Sequence, residues 1–236
     1  MSVAYSLIFP AYNEADNLEK AVRETAAVFN PLPGEYEILI VDDGSTDATA
    51  GVGERLARES ASVRLLRHAG NRGKGRAVQT GVAAAAGEKI FFLDCDLATH
   101  PREALAFLAA AEEADVVIAS RRVAGAAIKK AQRWYRSFFG RVINLVVRLF
   151  FKLPQHDTQC GFKMFKAASA KTIFRDLGPT RWLFDVEILM RAQNAGYTVK
   201  ELPVAWTNGA GSRVRIRHVL SDFNYLWKLR RSLKKK

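Results

Sequence analysis

Short apolar runs, each followed by a helical segment, constrain this chain more than any other feature. Tyr5–Pro10 (YSLIFP), Glu37–Val41 (EILIV), Val63–Leu66, Lys89–Leu93 (KIFFL) and Asp115–Ala119 (DVVIA) read as strands. Between them, Asp16–Asn30 has helical spacing at Leu18, Ala21, Val22 and Val28. Thr46–Glu59, Gly75–Ala86 and Arg102–Glu113 also read as helices, with Thr46 or Asp47 placed to cap the first of these three. Unbroken apolar strands of this length, alternating with helices, predict an α/β fold whose mostly parallel sheet is covered on both faces. In such sheets ligands bind beyond the carboxyl ends of the strands. Four polar clusters fall there: Ala11–Glu14, Asp42–Ser45, Asp94–Asp96 and Ser120–Arg122.

At 236 residues and 49% hydrophobic, the chain can bury one large core, which excludes a disordered protein. Its two cysteines, Cys95 and Cys160, form neither a disulfide framework nor a cysteine-rich zinc site, and point to a reducing compartment. The first ten residues lack the basic start of a signal peptide. No apolar run reaches spanning length, so a soluble or surface-bound protein is expected.

The net charge of +12 is unevenly spread. Residues 116–156 hold nine Lys/Arg and no acid, and residues 213–236 hold nine more with Asp222 as the one acid, while the remainder is mildly acidic. Basic segments of this kind attract polyanions: nucleic acid, anionic lipid or phosphorylated substrates. A merely solvated basic face is the plainer reading.

Asp94-Cys95-Asp96 directly follows a buried-type strand. Residues i and i+2 of an extended segment point the same way, so both carboxylates could face one cation, with Mg²⁺ or Mn²⁺ suited to oxygen ligands. An isolated Asp-x-Asp also arises in ordinary surface turns. Asp42-Asp43 at a second strand end adds weight, because two acidic strand ends on one edge repel unless a cation or sugar hydroxyls lie between them. Asn71-Arg72-Gly73-Lys74-Gly75 leads into a helix, where Lys74 could meet a phosphate. A flexible loop is the other reading, and the Walker spacing is missing.

Pro10-Ala-Tyr-Asn-Glu14, Val41-Asp-Asp-Gly-Ser45, Asn71-x-Gly-Lys-Gly75, Asp94-x-Asp-Leu-Ala-Thr99 and Ser120-Arg121 together resemble, in order, the motifs of family-2 glycosyltransferases of GT-A type. Asp157-Thr-Gln-Cys-Gly-Phe-Lys163, Arg181-Trp-x-Phe-Asp-Val-Glu187 and Val204-x-Trp206 with Gly211-Ser212-Arg213 resemble the dolichyl-phosphate β-glucosyltransferase branch, a relative of dolichyl-phosphate mannose synthase. The sequence departs from the pattern at Cys95, where Ala is usual, at Arg213, where Lys is usual, and at Ala98, where mannose synthases can place a metal-binding Gln.

The resemblance implies a donor site for a nucleotide sugar at Pro10, Tyr12, Glu14, Val41, Asp42, Asp43, Lys74, Asp94, Cys95 and Asp96. Asp94 and Asp96 would hold Mg²⁺ or Mn²⁺ on its diphosphate. Arg121, Arg133, Arg136, Ser137 and Arg213 would hold an acceptor phosphate. A lipid phosphate is anionic at neutral pH and can attack without a general base, which suits a chain whose His68, His100, His156 and His218 suggest no catalytic histidine. If a base acts, Asp157 or Asp185 is the candidate. Asp185 and Glu187 could touch sugar hydroxyls or cap a helix.

Treated as a helix, residues 129–152 place Lys129, Lys130, Arg133, Arg136, Ser137, Arg141, Asn144, Arg148 and Lys152 opposite Tyr135, Phe138, Phe139, Val142, Ile143, Leu145, Val146, Leu149 and Phe150. That is the pattern of an interfacial helix on an anionic membrane; packing of its apolar face on the core is the alternative. The tail, with Phe223, Tyr225, Leu226 and Trp227 before Arg230, Arg231 and Lys234–Lys236, reads alike.

The expected organisation is a catalytic domain over residues 1–215, with the 129–152 helix inserted, and a membrane-associating tail over 216–236. The expected activity is inverting transfer of a hexose, glucose from UDP-glucose first, onto a polyprenyl or dolichyl phosphate. The setting is peripheral, on the cytoplasmic face of the membrane. A GDP-mannose enzyme of the same mechanism and a silent nucleotide-sugar-binding membrane module are the alternatives. No nucleic-acid partner is expected, since no recognition motif accompanies the basic helix. A homo-oligomer or a membrane-protein partner could replace the missing spans.

Overall fold

The computed structural model describes residues 3–130, 134–178, 183–207 and 216–233. Seven strands form one sheet: β1 (Val3–Ala11), β2 (Glu35–Asp42), β3 (Val63–Arg67), β4 (Lys89–Leu93), β5 (Val116–Ser120), β7 (Phe162–Lys166) and β8 (Val199–Pro203). Their order is β3-β2-β1-β4-β7-β5-β8. Every pairing is parallel except those of β7, which runs antiparallel to both β4 and β5. The expected mostly parallel sheet is therefore present, with one reversed strand in its middle. A separate parallel ribbon joins β6 (Ala127–Lys130) to β9 (Ala205–Thr207).

Alternation along the strands sorts the core into two layers. Leu7, Phe9, Ile38, Ile40, Phe91 and Phe162 face α1 (Ala15–Phe29), α2 (Thr49–Glu59) and α4 (Ala104–Ala110). Ile8, Leu39, Val41, Ile90 and Phe92 face the other layer: α3 (Lys74–Ala84), α5 (Trp134–Phe151), α6 (Ala167–Phe174), α7 (Phe184–Asn194) and α8 (Ile216–Leu233).

The first half matches the sequence-based elements within a few residues. A 3-10 turn, Pro101–Glu103, precedes α4; the N-cap of α2 is Ala48 rather than Thr46 or Asp47, although Asp47 accepts from the Thr49 N–H at 2.9 Å. The second half corrects one expectation. Residues 127–130 are a strand, so 129 and 130 do not belong to the helix expected over 129–152, whose described part runs from Trp134. The tail expected over 216–236 is helix α8 over its described residues, and it packs on the core: Leu226 is buried, the Leu183 N–H donates to Asp222 at 3.0 Å, and Phe223 packs 4.7 Å from Phe150.

On α5 the buried face includes a residue expected on the basic side, Asn144, because both ends of its amide find partners in the interior. Asn144, Val147 and Phe151 are buried, whereas Val142, Leu145, Val146 and Leu149 form an exposed stripe at helical spacing, Leu149 being 70% exposed. No helix among the described residues is long and apolar enough to cross a membrane.

Candidate active site

The first two strand ends are tied into one body before any ligand is considered. The Asn13 N–H donates to Ser45 Oγ at 3.0 Å, the Thr46 N–H to Asn13 Oδ1 at 2.8 Å, and the Glu14 N–H to Thr49 Oγ1 at 2.8 Å. Asn13 takes the left-handed conformation, φ 54°, which its short amide tolerates. Gly44 is left-handed as well, and a Cβ there would lie 2.5 Å from the Gly70 backbone, so glycine is required where the two loops meet. Between them opens a cleft of about 700 Å³ lined by Tyr12, residues 44–46 and residues 67–71.

Four of the expected donor residues have other employment for their side chains. Val41 is wholly buried in the core below α3. Asp42, also buried, accepts from the Ser45 N–H at 2.9 Å and from Arg67 Nε at 3.3 Å. Asp43 accepts the Arg72 and Gly73 N–H groups at 2.9 and 2.7 Å and pairs with His68 Nδ1 at 2.7 Å, with His68 Nε2 against Thr80 Oγ1. It thereby shapes the glycine loop ahead of Lys74. The Cys95 side chain points inward to the Pro10 carbonyl at 3.8 Å, and burial pushes its thiol well up. These residues build the cleft; Tyr12 lines it, and Glu14 stays half-buried, accepting from Asn17 Nδ2 at 2.8 Å.

At the end of β4, inward Cys95 leaves Asp94 and Asp96 on the accessible side, as the i, i+2 alternation requires. The turn is held tight: Leu97 is left-handed at φ 49°, a conformation that costs a leucine about 1–2 kcal/mol. The Ala98 N–H donates to Asp96 Oδ1 at 3.0 Å. Burial, then the neighbouring Asp94 charge, push the Asp96 carboxyl above its ordinary value. Lys74 forms an ion pair with Asp94. Burial alone would depress its ammonium, but Asp94 and Asp185 outweigh this and hold it above the ordinary value.

No cluster of three or more His, Cys, Asp or Glu side chains suited to a metal gathers among the described residues. Two carboxylates in mutual repulsion still fit a hard divalent cation that keeps waters and takes its remaining oxygens from a bound diphosphate. Gly161 makes room for this arrangement, since a Cβ there would lie 1.9 Å from Asp94 Oδ2.

Arg121, just past β5, is aimed by Asp157. Its Nε and Nη2 donate to the two carboxylate oxygens at 2.7 and 2.9 Å, its backbone N–H donates to Asp157 Oδ2 at 3.1 Å, and its guanidinium stacks 5.4 Å from the Trp206 ring. Trp206 in turn bridges Thr99, and the Thr207 N–H donates to the Ala98 carbonyl at 2.8 Å, so the arginine's platform is bonded to the Asp94–Asp96 loop. Burial alone would raise the Asp157 carboxyl; Arg121 holds it below its ordinary value. A fully buried carboxylate with both oxygens on a guanidinium is a poor proton acceptor, and this geometry suits Asp157 better to orienting Arg121 than to the base role expected of it.

Asp185 is also buried and pairs with Lys163, which donates further to the Cys160 carbonyl at 2.6 Å. Burial pushes the Asp185 carboxyl up, opposed by Lys163. Glu187 is wholly buried and accepts from the Gly178 N–H, Arg191 and Tyr225, which ties α7 to α8. Arg133 and Arg213 lie outside the described residues, and Arg136 and Ser137 fall in the first turn of α5. Sequence reasoning placed Asn144 on the basic helix face and missed Glu201 and the buried Lys163–Asp185 pair; their partners are 12 to 45 positions away and leave no local signal.

The sequence profile described as "Glycosyl transferase family 2" matches residues 6–174. Among curated proteins, Glycosyltransferase AglD of Haloferax volcanii is 33% identical over 216 residues, covering 90% of this chain and 34% of its own length. Dolichyl-phosphate beta-glucosyltransferase ALG5A of Trichomonas vaginalis is 36% identical over 228 residues, covering 91% of this chain and 69% of its own. The chain thus spans about a third of the first relative and about two thirds of the second. Among solved structures, glucosyl-3-phosphoglycerate synthase from Mycobacterium tuberculosis, in complex with Mn²⁺, uridine-diphosphate and glucosyl-3-phosphoglycerate, superposes with a TM-score of 0.63 at 17% identity. That match covers 93% of this chain and 76% of the synthase.

Proposed function

Because the chain belongs to glycosyltransferase family 2, we propose that it moves a hexose from a nucleotide diphosphate sugar onto a polyprenyl phosphate, with inversion, UDP-glucose being the first donor to test. The observation that carries this reading is the pairing of two charge stations of opposite kind at one sheet edge. Asp94 and Asp96 with Lys74 suit a cation-bound diphosphate, and Arg121, aimed by Asp157, suits a phosphate monoester. The names of the dolichyl-phosphate relatives support the same acceptor class.

Asp94 and Asp96 would hold Mg²⁺ or Mn²⁺. When bound, the ion neutralises charge on the departing diphosphate. Lys74, beside Asp94, is within reach to share that charge. Arg121 orients the acceptor so that a phosphate oxygen attacks the anomeric carbon as the carbon–oxygen bond to the diphosphate breaks, the electron pair leaving with the nucleotide. The acceptor oxygen is already anionic, so no proton has to be removed. Catalysis is then positioning together with electrostatic stabilisation of the leaving group.

The exposed stripe on α5 and Trp227 of α8, 41% exposed, in a chain rich in basic residues, support a peripheral seat on an anionic membrane surface, which we assign to the cytoplasmic face. Transfer of radiolabel to an organic-soluble product tests the reaction, with UDP-glucose and GDP-mannose in parallel and Mg²⁺ or Mn²⁺ present. Label should move from UDP-glucose, and Asp96→Asn should lower the rate by about 100-fold or more. Donor binding without transfer from either nucleotide sugar would leave only a binding module.

A further inference from the structure

Asn144 is a buried amide on an apolar stretch of α5, with Leu145, Val146 and Val147 beside it in sequence and only 4% of its own surface exposed. Asparagine is a weaker helix former than leucine, and burying its amide is unfavourable unless both ends are bonded. Here both ends go to a single short segment. Nδ2 donates to the His156 carbonyl at 2.7 Å, while Oδ1 accepts from the Thr158 N–H at 3.3 Å and from Thr158 Oγ1 at 3.1 Å.

Those two residues flank Asp157. From the opposite side, Glu201 on β8 accepts the His156 N–H at 2.8 Å and the Asp157 N–H at 2.7 Å. The peptide that carries Asp157 is therefore clamped between a helix and a strand, and Asp157 passes that fixed position to Arg121 through the two-pronged ion pair.

We propose that Asn144 is a positioning residue for acceptor recognition: through residues 156–158 and Asp157 it makes α5 and the Arg121 guanidinium one rigid unit. The inference rests on the reading of Arg121 as the acceptor-phosphate arginine. It assigns to an interior face of α5 a role separate from the exposed stripe on the same helix.

The test is titration calorimetry of the full chain with farnesyl phosphate, a short acceptor that needs no vesicle, and separately with UDP and Mg²⁺. Asn144→Leu should weaken farnesyl phosphate by about tenfold and change UDP affinity by less than about twofold. Thr158→Val keeps the shape and the backbone bond and removes only the hydroxyl. It should fold as the wild type does and weaken farnesyl phosphate by about two- to threefold. In an Asp157→Asn background the Asn144→Leu effect should vanish, because both act along one path.

Unchanged farnesyl-phosphate affinity in both single variants overturns the inference. Equal losses for farnesyl phosphate and UDP, or a fully additive double variant, overturn it too, since either means general loosening. If the wild type itself binds UDP and not farnesyl phosphate, the acceptor reading falls and the inference falls with it.

Discussion

The two ends of the site are built by different means. On the proposed donor side, contacts run between neighbouring strand ends: Asn13 to Ser45 and Thr46, Glu14 to Thr49, and Asp43 to the glycine loop. Each strand delivers its own polar turn, and the sheet aligns those turns. On the acceptor side a single arginine depends on a relay from three other elements: Asp157 in a loop, Asn144 on a helix and Glu201 on an edge strand. The donor side is a row of local structures in register, while the acceptor side exists only once distant parts have met.

Gly161 tests whether the two sides are separable. It follows the acceptor-side loop, yet its missing side chain is the space that the Asp94 carboxylate fills. Gly161→Ala should push that carboxylate out of place and lower transfer by about 100-fold, with little change in melting temperature, because Asp94 is partly exposed and can turn away at the cost of its surface ion pair with Lys74. A variant with wild-type activity would show that Asp94 is not needed where it stands.

That contrast also explains what the sequence could and could not disclose. β1, β2 and β4 are unbroken apolar runs ending in Tyr12–Glu14, Asp42-Asp43 and Asp94–Asp96, so strand and motif announce each other. β7 reads FKMFK, with lysines at 163 and 166 on opposite faces of the strand, so neither alternation nor an unbroken apolar run marks it. In fact Lys163 is wholly buried against Asp185, a partner that nothing near it in sequence reveals. Val41, Asp42 and Cys95 sit inside recognisable motifs, yet their side chains turn into the fold; a motif marks a place in the chain, and burial decides which of its residues meets a ligand.

Arg121→Lys should sharpen the comparison. Lysine keeps the charge and loses the planar fork that fits Asp157, so the acceptor KM should rise about tenfold while UDP affinity stays within about twofold, measured by initial rates and calorimetry. Equal loss for both substrates would mean that the two ends are one unit after all.

The stripe on α5 predicts a further separation. Leu149→Ser should weaken sedimentation with anionic phosphatidylserine vesicles by about tenfold, given the area a buried leucine removes from water, and leave the melting temperature unchanged. Loss of stability in this variant would mean that the face is packed against protein.

The smallest effect concerns pH. Asp157 has a folded-state carboxyl held below its ordinary value of 3.8, so its contribution to stability is complete above that value and is lost as pH falls through the depressed one. Melting curves between pH 5 and 3 should therefore drop more steeply for the wild type than for Asp157→Asn. Parallel curves would mean that the pair adds nothing to folding.

The reversed strand β7 has a consequence for how the molecule comes into being. β4 and β5 are complete by residue 120, but they touch each other only through β7, which ends at Lys166. During vectorial synthesis the nascent sheet must wait with one side of β4 unpaired while more than forty further residues emerge from the ribosome. A truncated product ending after β5 would present an apolar open edge, the kind of surface that chaperones bind and aggregates recruit.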